Sequence, residues 1–189
     1  MQITTTVQPR GRRIGIILAV AVVAIFAGLF TVGLLLASQQ GKRPAVGSEA
    51  PDFSLPLYPG YRAGFGDTLR LSSLRGQVVV INFWASWCVE CRKEAAGLEA
   101  TYRQYKDRGV VFLGVDYLDT EPAALVYLRE YDTTYPVGID LQQQIARDYR
   151  ITGVPETFFV DKEGLVRYIA IQRVSEAELE AVIEPLIKN

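Results

Sequence analysis

The sequence predicts an α/β fold, a mixed central sheet flanked by helices, with one separate apolar helix ahead of it. The domain follows from β-branched runs that alternate with helical spacing, and from a strand–turn–strand pattern near the end. The separate helix follows from 24 consecutive uncharged residues, 14–37.

That first segment reads IGIILAVAVVAIFAGLFTVGLLLA. At about 1.5 Å per residue it makes about 36 Å of helix, enough to cross a hydrocarbon core of about 30 Å with some tilt. Cleaved signal peptides carry shorter apolar stretches, about 7–15 residues, and a small-x-small site. The candidate site here, Leu35-Leu36-Ala37, is poor, so an uncleaved transmembrane anchor is expected, with a cleaved signal as the alternative. Arg10, Arg12 and Arg13 precede the helix, whereas Lys42 and Arg43 follow it. The positive-inside rule then favours a short cytoplasmic amino terminus, residues 1–13, and an extracytoplasmic remainder in a single-pass topology. Arg12-Arg13 also fits part of a twin-arginine export signal, although ordinary topology-setting charges account for it. Residues 38–48 read as a polar linker and 49–189 as the folded domain.

Within that domain, residues 77–84 (QVVVINFW) are a buried central strand. A helix is expected over 88–106, with Leu98, Tyr102 and Tyr105 at helical spacing and Gly109 as its stop. Residues 110–115 (VVFLGV) form the next apolar strand. Glu121-Pro122 opens a helix to about Tyr131, proline being favourable at an early helical position. A short strand over 136–139 and a helix over 141–149 follow. Strands at 157–160 and 165–171 form a hairpin through Asp161-Lys-Glu-Gly164. Ser175-Glu-Ala-Glu178 is a capping-box pattern for a last helix ending near Lys188. No internal repeat or low-complexity stretch interrupts the series.

Composition excludes several chemistries. With 20 Lys+Arg against 21 Asp+Glu there is no electrostatic footprint for nucleic acid. Histidine is absent, which removes imidazole triads, His-ligated metals and imidazole proton shuttles. Any general acid or base is therefore a carboxylate, lysine, tyrosine or thiol. The two cysteines, Cys88 and Cys91, are too few for a four-cysteine zinc site and too close to constrain much unfolded chain. They are redox-active or idle, and no organic cofactor or metal is expected.

Cys88 falls where the strand over 77–84 gives way to a helix. Unpaired N–H groups and the partial positive charge of a helix start stabilise a thiolate there, and the thiolate is the nucleophile. Cys91, one turn on, lies within bridging distance. Cys88 would attack a client disulfide, and Cys91 would resolve the mixed disulfide. Val89 and Glu90 would tune the pair, the Glu90 charge raising the nucleophile's pKa and favouring a reducing couple. A lone C-x-x-C can also be half a metal site.

The segment FWASWCVECRKE, Phe83 to Glu94, resembles the active-site segment of the thioredoxin superfamily. With GSEAPDFSLP (47–56), LSSLRGQVVVINFWASWC (71–88) and GVPETFFVDKEG (153–164), the chain resembles the membrane-anchored TlpA/ResA/CcmG (DsbE) group, with an AhpC/TSA-redoxin-like domain. The resemblance covers about 46–187. It implies a thioredoxin-like fold with an extra strand–helix insertion, here around 119–149, and a substrate groove at Trp87, Val154 and Pro155. Val154-Pro155 matches the superfamily's cis-proline, the alternative being a trans proline in a turn. Glu156 and Glu94 resemble acidic residues of the CcmG and ResA branches and are proton-relay candidates. Glu94 could equally be a solvated residue of the charged run Arg92-Lys93-Glu94. Asn82 stands where thioredoxin carries a buried acid, which moves the relay elsewhere, and the motif lacks the proline of many relatives.

The expected function is an extracytoplasmic thiol–disulfide oxidoreductase that reduces a client such as apocytochrome c. Electrons would come from a membrane thiol reductase. The alternatives are a disulfide oxidase or isomerase, a thiol peroxidase (GSEAPDFSLP also resembles the opening of peroxiredoxins) and, from another class, a non-catalytic thioredoxin-fold metallochaperone.

Overall fold

The computed structural model describes residues 10–38 and 43–188, and divides the chain into two compact units, 1–42 and 43–189. The first contains helix α1, Arg10–Ser38, 29 residues long. Its side chains are described continuously only over 20–32, about 20 Å of helix. Among the described residues no helix is long and apolar enough to cross a membrane. Lys42 and the side chains of Arg10, Arg12, Arg13 and residues 33–37, on which the expectation of an anchor and its orientation draws, lie outside the described residues.

The second unit is built on a five-stranded sheet. Its strands are β3 (Val78–Trp84), β4 (Val110–Asp116), β5 (Val137–Ile139), β6 (Glu156–Val160) and β7 (Val166–Ile171), in the order β5-β4-β3-β6-β7. β3, β4 and β5 run parallel, β6 is antiparallel to β3, and β7 is antiparallel to β6. The central strands are buried along their whole length, as continuous apolar runs require.

Alternation along β3 divides the core in two. Val78, Val80 and Trp84 face α2 (Val89–Tyr105), α3 (Glu121–Glu130) and α5 (Glu176–Lys188), with Leu98, Leu128, Leu179 and Ile183 closing that layer. Val79, Ile81 and Phe83 face α4 (Gln144–Tyr149) and a small hairpin, β1 (Ser54–Pro56) with β2 (Thr68–Arg70). The mixed sheet with helices on both faces is thus as expected, and the hairpin is an addition.

Two further differences have local causes. The helix expected over 141–149 breaks into a 3-10 turn, Leu141–Gln143, and α4, because Gln142 and Gln143 adopt left-handed φ values of 68° and 58°. Asp140 sets the true start, its carboxylate accepting the N–H groups of Ile145 (3.1 Å) and Ala146 (2.8 Å). Residues 43–48, expected as linker, are stitched to the domain. Gly47 N–H donates to Val166 O at 2.7 Å, Val166 N–H to Ser48 O at 2.9 Å, and Ala45 and Ser48 close a turn.

Candidate active site

β3 delivers the chain to the cysteines at the edge of the α2 layer. Cys88 is the N-cap of α2, extended at φ −81° and ψ 114°, and its Sγ accepts the N–H of Cys91 at 3.1 Å. Cys88 and Cys91 form a disulfide with their Cα atoms 5.3 Å apart. The N–H that now points at Sγ is the donor that stabilises a thiolate once the bridge is reduced. Cys88 Sγ also lies 3.5 Å from the carbonyl oxygen of Val154, whose peptide bond to Pro155 is cis.

The turn before Cys88 is pinned from the end of β4. Asp119 Oδ2 accepts Ser86 N–H at 2.6 Å, Trp87 Nε1 donates to Leu118 O at 3.0 Å, and Tyr117 N–H donates to Trp84 O at 2.8 Å. Trp87 is 58% exposed despite that bond, and Val89 is exposed beside it. A groove of about 600 Å³ runs along the cis-proline segment, lined by Glu90, Val154, Pro155, Glu156, Ile171 and Arg173 among others. Glu90, the expected negative charge of the motif, is paired: it accepts from Lys93 at 2.5 Å, with Arg173 at 3.9 Å, and the Lys93 hydrogen bond holds its carboxyl below the ordinary value.

Glu94 is not solvated. It is 3% exposed beneath α2, one turn beyond Cys91, and takes Asn82 Nδ2 at 2.9 Å and Val174 N–H at 2.9 Å. Burial raises its pKa to about 7, against the lowering effect of those two donors. Asn82, which also donates to Thr157 Oγ1 at 2.9 Å, thereby holds a carboxylate where it cannot supply one itself.

Glu156 lies on the opposite face of the sheet. It pairs with Phe83 in register, whereas Asn82 pairs with Thr157, and neighbouring pairs face opposite sides. It is 1% exposed, ion-paired to Arg43, and accepts Thr152 N–H at 3.1 Å. Burial raises its pKa, and the Thr152 N–H and the Arg43 charge work against that rise. The structure therefore brings Cys88, Cys91, Trp87, Val154 and Pro155 together, places Glu94 behind Cys91, and separates Glu94 from Glu156.

Sequence reasoning missed four residues around this site: Asp116, Tyr58, Tyr127 and Arg43. Asp116, fully buried at the end of β4, takes Tyr58 OH at 2.6 Å, and burial raises its pKa to about 7. Its Oδ1 and Trp84 Nε1 are buried without a hydrogen-bond partner among the described residues. Tyr127, stacked on Trp84 at 4.4 Å, donates its OH to Cys91 O at 2.9 Å. Arg43 has the look of a topology-setting charge. Only Asp116 leaves a signal, an acid closing an otherwise apolar strand.

A reactive cysteine pair at the start of a helix, beside a cis-proline loop in a thioredoxin-like α/β fold, defines a thiol–disulfide oxidoreductase. The chain belongs to the AhpC/TSA family, whose model matches residues 46–169. It is 35% identical over 162 residues to the thiol:disulfide interchange protein DsbE of Allochromatium vinosum, covering 85% of this chain and 86% of that one. It is 33% identical over 142 residues to the thiol-disulfide oxidoreductase ResA of Geobacillus kaustophilus, covering 75% and 78%. Among solved structures it is similar to a thiol:disulfide interchange protein of the thioredoxin family from Chlorobium tepidum. That likeness has a TM-score of 0.64 and 25% identity, over 78% of this chain and 99% of that one.

Proposed function

We propose that this oxidoreductase works as a reductant outside the cytoplasm, held at the membrane by the apolar segment 14–37 with its amino terminus inside. The observation that carries the exchange chemistry is the Cys91 N–H aimed at Cys88 Sγ at 3.1 Å, beside an open groove, which equips Cys88 as the attacking thiolate. In the reduced protein the Cys88 thiolate attacks one sulfur of a client disulfide, and the other client sulfur leaves as a thiolate. Cys91, deprotonated, then attacks Cys88 Sγ. The second client sulfur is expelled, two electrons have passed to the client, and the Cys88–Cys91 disulfide is restored.

Glu94 is the proposed acceptor of the Cys91 proton. A carboxyl with a pKa of about 7 is poised to take and return a proton at neutral pH. Val154 and Pro155 line the proposed client groove, the exposed Trp87 beside Cys88 is the proposed contact at its rim, and Val89 and Glu90 set the edge of the motif. The proposed client is apocytochrome c, whose haem-attachment cysteines must be thiols, and the proposed electron donor is a membrane thiol reductase. The names of the relatives, thiol:disulfide interchange protein and thiol-disulfide oxidoreductase, support a disulfide-bearing client.

Trapping tests this reading. In full-length Cys91→Ala, expressed in its native membrane, the mixed disulfide at Cys88 cannot be resolved and accumulates. A c-type apocytochrome and a membrane thiol reductase are the expected adducts. Adducts confined to cytoplasmic proteins, or none in a protein that still reacts with small disulfides, would overturn it.

A further inference from the structure

The guanidinium of Arg43 reaches two points on the segment that carries the cis-proline. Nη2 pairs with Glu156 Oε1, and Nη1 donates to the carbonyl of Arg150 at 3.0 Å. Between those points Thr152 N–H donates to Glu156 Oε2 at 3.1 Å, and Val154 presents its carbonyl to Cys88 Sγ at 3.5 Å. On the far side, Gln172 N–H holds Pro155 O at 3.1 Å. Residues 150–156 are thus fastened at the Arg150 carbonyl and at the Glu156 carboxylate, with the Val154 carbonyl between those points facing Cys88 Sγ. Arginine suits the task because its planar fork serves a carboxylate and a carbonyl at once.

We propose that Arg43 is a positioning residue of the active site: by bridging Glu156 and the Arg150 carbonyl it sets the place of the Val154–Pro155 segment against Cys88. The proposal rests on the oxidoreductase activity and not on which client is reduced. It gives Glu156 a role that its position supports, since both of its oxygens are engaged away from the thiols. It also assigns a site function to a residue just beyond the amino-terminal helix, in a stretch anchored to β7 through Gly47 and Ser48.

The electrostatics agree with the geometry. Glu156 is buried, and Arg43 is the charged group that lowers its pKa, with the Thr152 N–H as the other partner. Among the residues that line the groove, Glu90 of α2 and Arg173 beyond β7 are the other charged groups, and they pair with each other. Without Arg43 the Glu156 carboxyl would lose the charge that lowers its pKa and would take up a proton at higher pH.

Full-length Arg43→Ala, Arg43→Lys and Arg43→Ala/Glu156→Gln, each reduced, would be assayed on insulin disulfides from pH 5 to 9, with thermal unfolding recorded alongside. Arg43→Ala is expected to slow reduction about tenfold through misplacement of the loop, and to add an ionisation to the pH–rate profile. Glu156→Gln in the same chain should remove that ionisation. Arg43→Lys, which keeps the charge but not the fork, should restore the profile and only part of the rate. A wild-type rate and profile in Arg43→Ala would overturn the proposal. So would a loss of rate that merely tracks the unfolded fraction while the profile is unchanged. An unsubstituted protein that leaves both insulin and a small aromatic disulfide intact would overturn the oxidoreductase reading itself, and is recognised before any variant is compared.

Discussion

Two glutamates, Glu94 and Glu156, sit buried on opposite faces of one sheet within reach of one redox loop, and they are held in opposite ways. Glu94 has neutral partners, the Asn82 amide and the Val174 N–H. Glu156 has a guanidinium beside its backbone donor, the Thr152 N–H. Burial raises both carboxyls, and the one with neutral partners reaches about 7. At Glu156 the Thr152 N–H and then the Arg43 charge oppose the cost of desolvation, so a counter-charge is added there to a neutral donor, whereas the groups that touch Glu94 are neutral donors alone. The first arrangement leaves a proton that can move near neutral pH. The second fixes a charge and uses it as a fastening point. Two residues that look alike as relay candidates therefore suit different tasks.

Removing Arg43 should break the contrast most forcefully. At pH 8, Arg43→Ala leaves a charged Glu156 buried without its guanidinium, and breaking such a pair costs about 3 kcal/mol, the low end for a buried bridge because Arg43 is itself 28% exposed. At pH 5 the orphaned carboxyl can protonate, so the loss should shrink. Urea unfolding at the two pH values checks this. An equal loss at both would mean that Arg43 stabilises by packing on Phe158, whose ring centroid lies 5.9 Å away, and not by charge.

Glu94→Gln should have the next largest effect, with the opposite sign. The folded pKa of Glu94 is about 7 against an ordinary 4.5. Between those values the folded protein keeps a proton that the unfolded chain has released, so stability falls as pH rises through the window. The full separation corresponds to about 3 kcal/mol, absent below pH 4.5 and complete above 7. The uncharged amide of the variant would escape that penalty but match Asn82 less well, so a net gain of about 1–2 kcal/mol is expected at pH 8 and none at pH 4. Asp116, also raised to about 7, titrates in the same window, so the slope should lessen without vanishing. If the variant's stability runs parallel to wild type from pH 4 to 8, Glu94 is not the titrating group.

How much of this contrast is legible in the sequence follows from what each feature depends on. β3 and β4 are readable because β-branched runs buried on both faces carry their own signal, and the placement of Cys88 follows from the strand–helix junction. Glu94 stays open between buried and solvated, because its neighbours Arg92 and Lys93 are charged and one helical step decides which way a residue points. That Glu94 and Glu156 face apart is set by the pairing of β3 with β6, Asn82 to Thr157 and Phe83 to Glu156, and one sequence contains no register between distant strands. Arg43 is hidden by its company: a basic residue after an apolar helix reads as a topology signal, and its contact with Glu156 spans 113 positions. The left-handed pair Gln142-Gln143 gives no warning, glutamine being uncommon at positive φ.

The smallest test asks whether distant charges matter to Glu94 at all. Arg173 lowers its pKa and Glu178 raises it, each by less than burial or the two hydrogen bonds. Arg173→Gln should therefore raise the Glu94 midpoint, and Glu178→Gln lower it, each by a few tenths of a pH unit at moderate ionic strength. Carboxyl titration by infrared difference spectroscopy, with Glu94→Gln assigning the band, would resolve the two directions. Raising the salt to about 1 M shortens the screening length to about 3 Å, so both shifts should fade while the midpoint itself stays near neutrality. That persistence is the informative part, since desolvation and the Asn82 hydrogen bond are not screened by salt. A midpoint that dropped toward 4.5 in high salt would mean that the proton is held by surface charge instead of burial, and Glu94 would then resemble an exposed carboxylate more than the counterpart of Glu156.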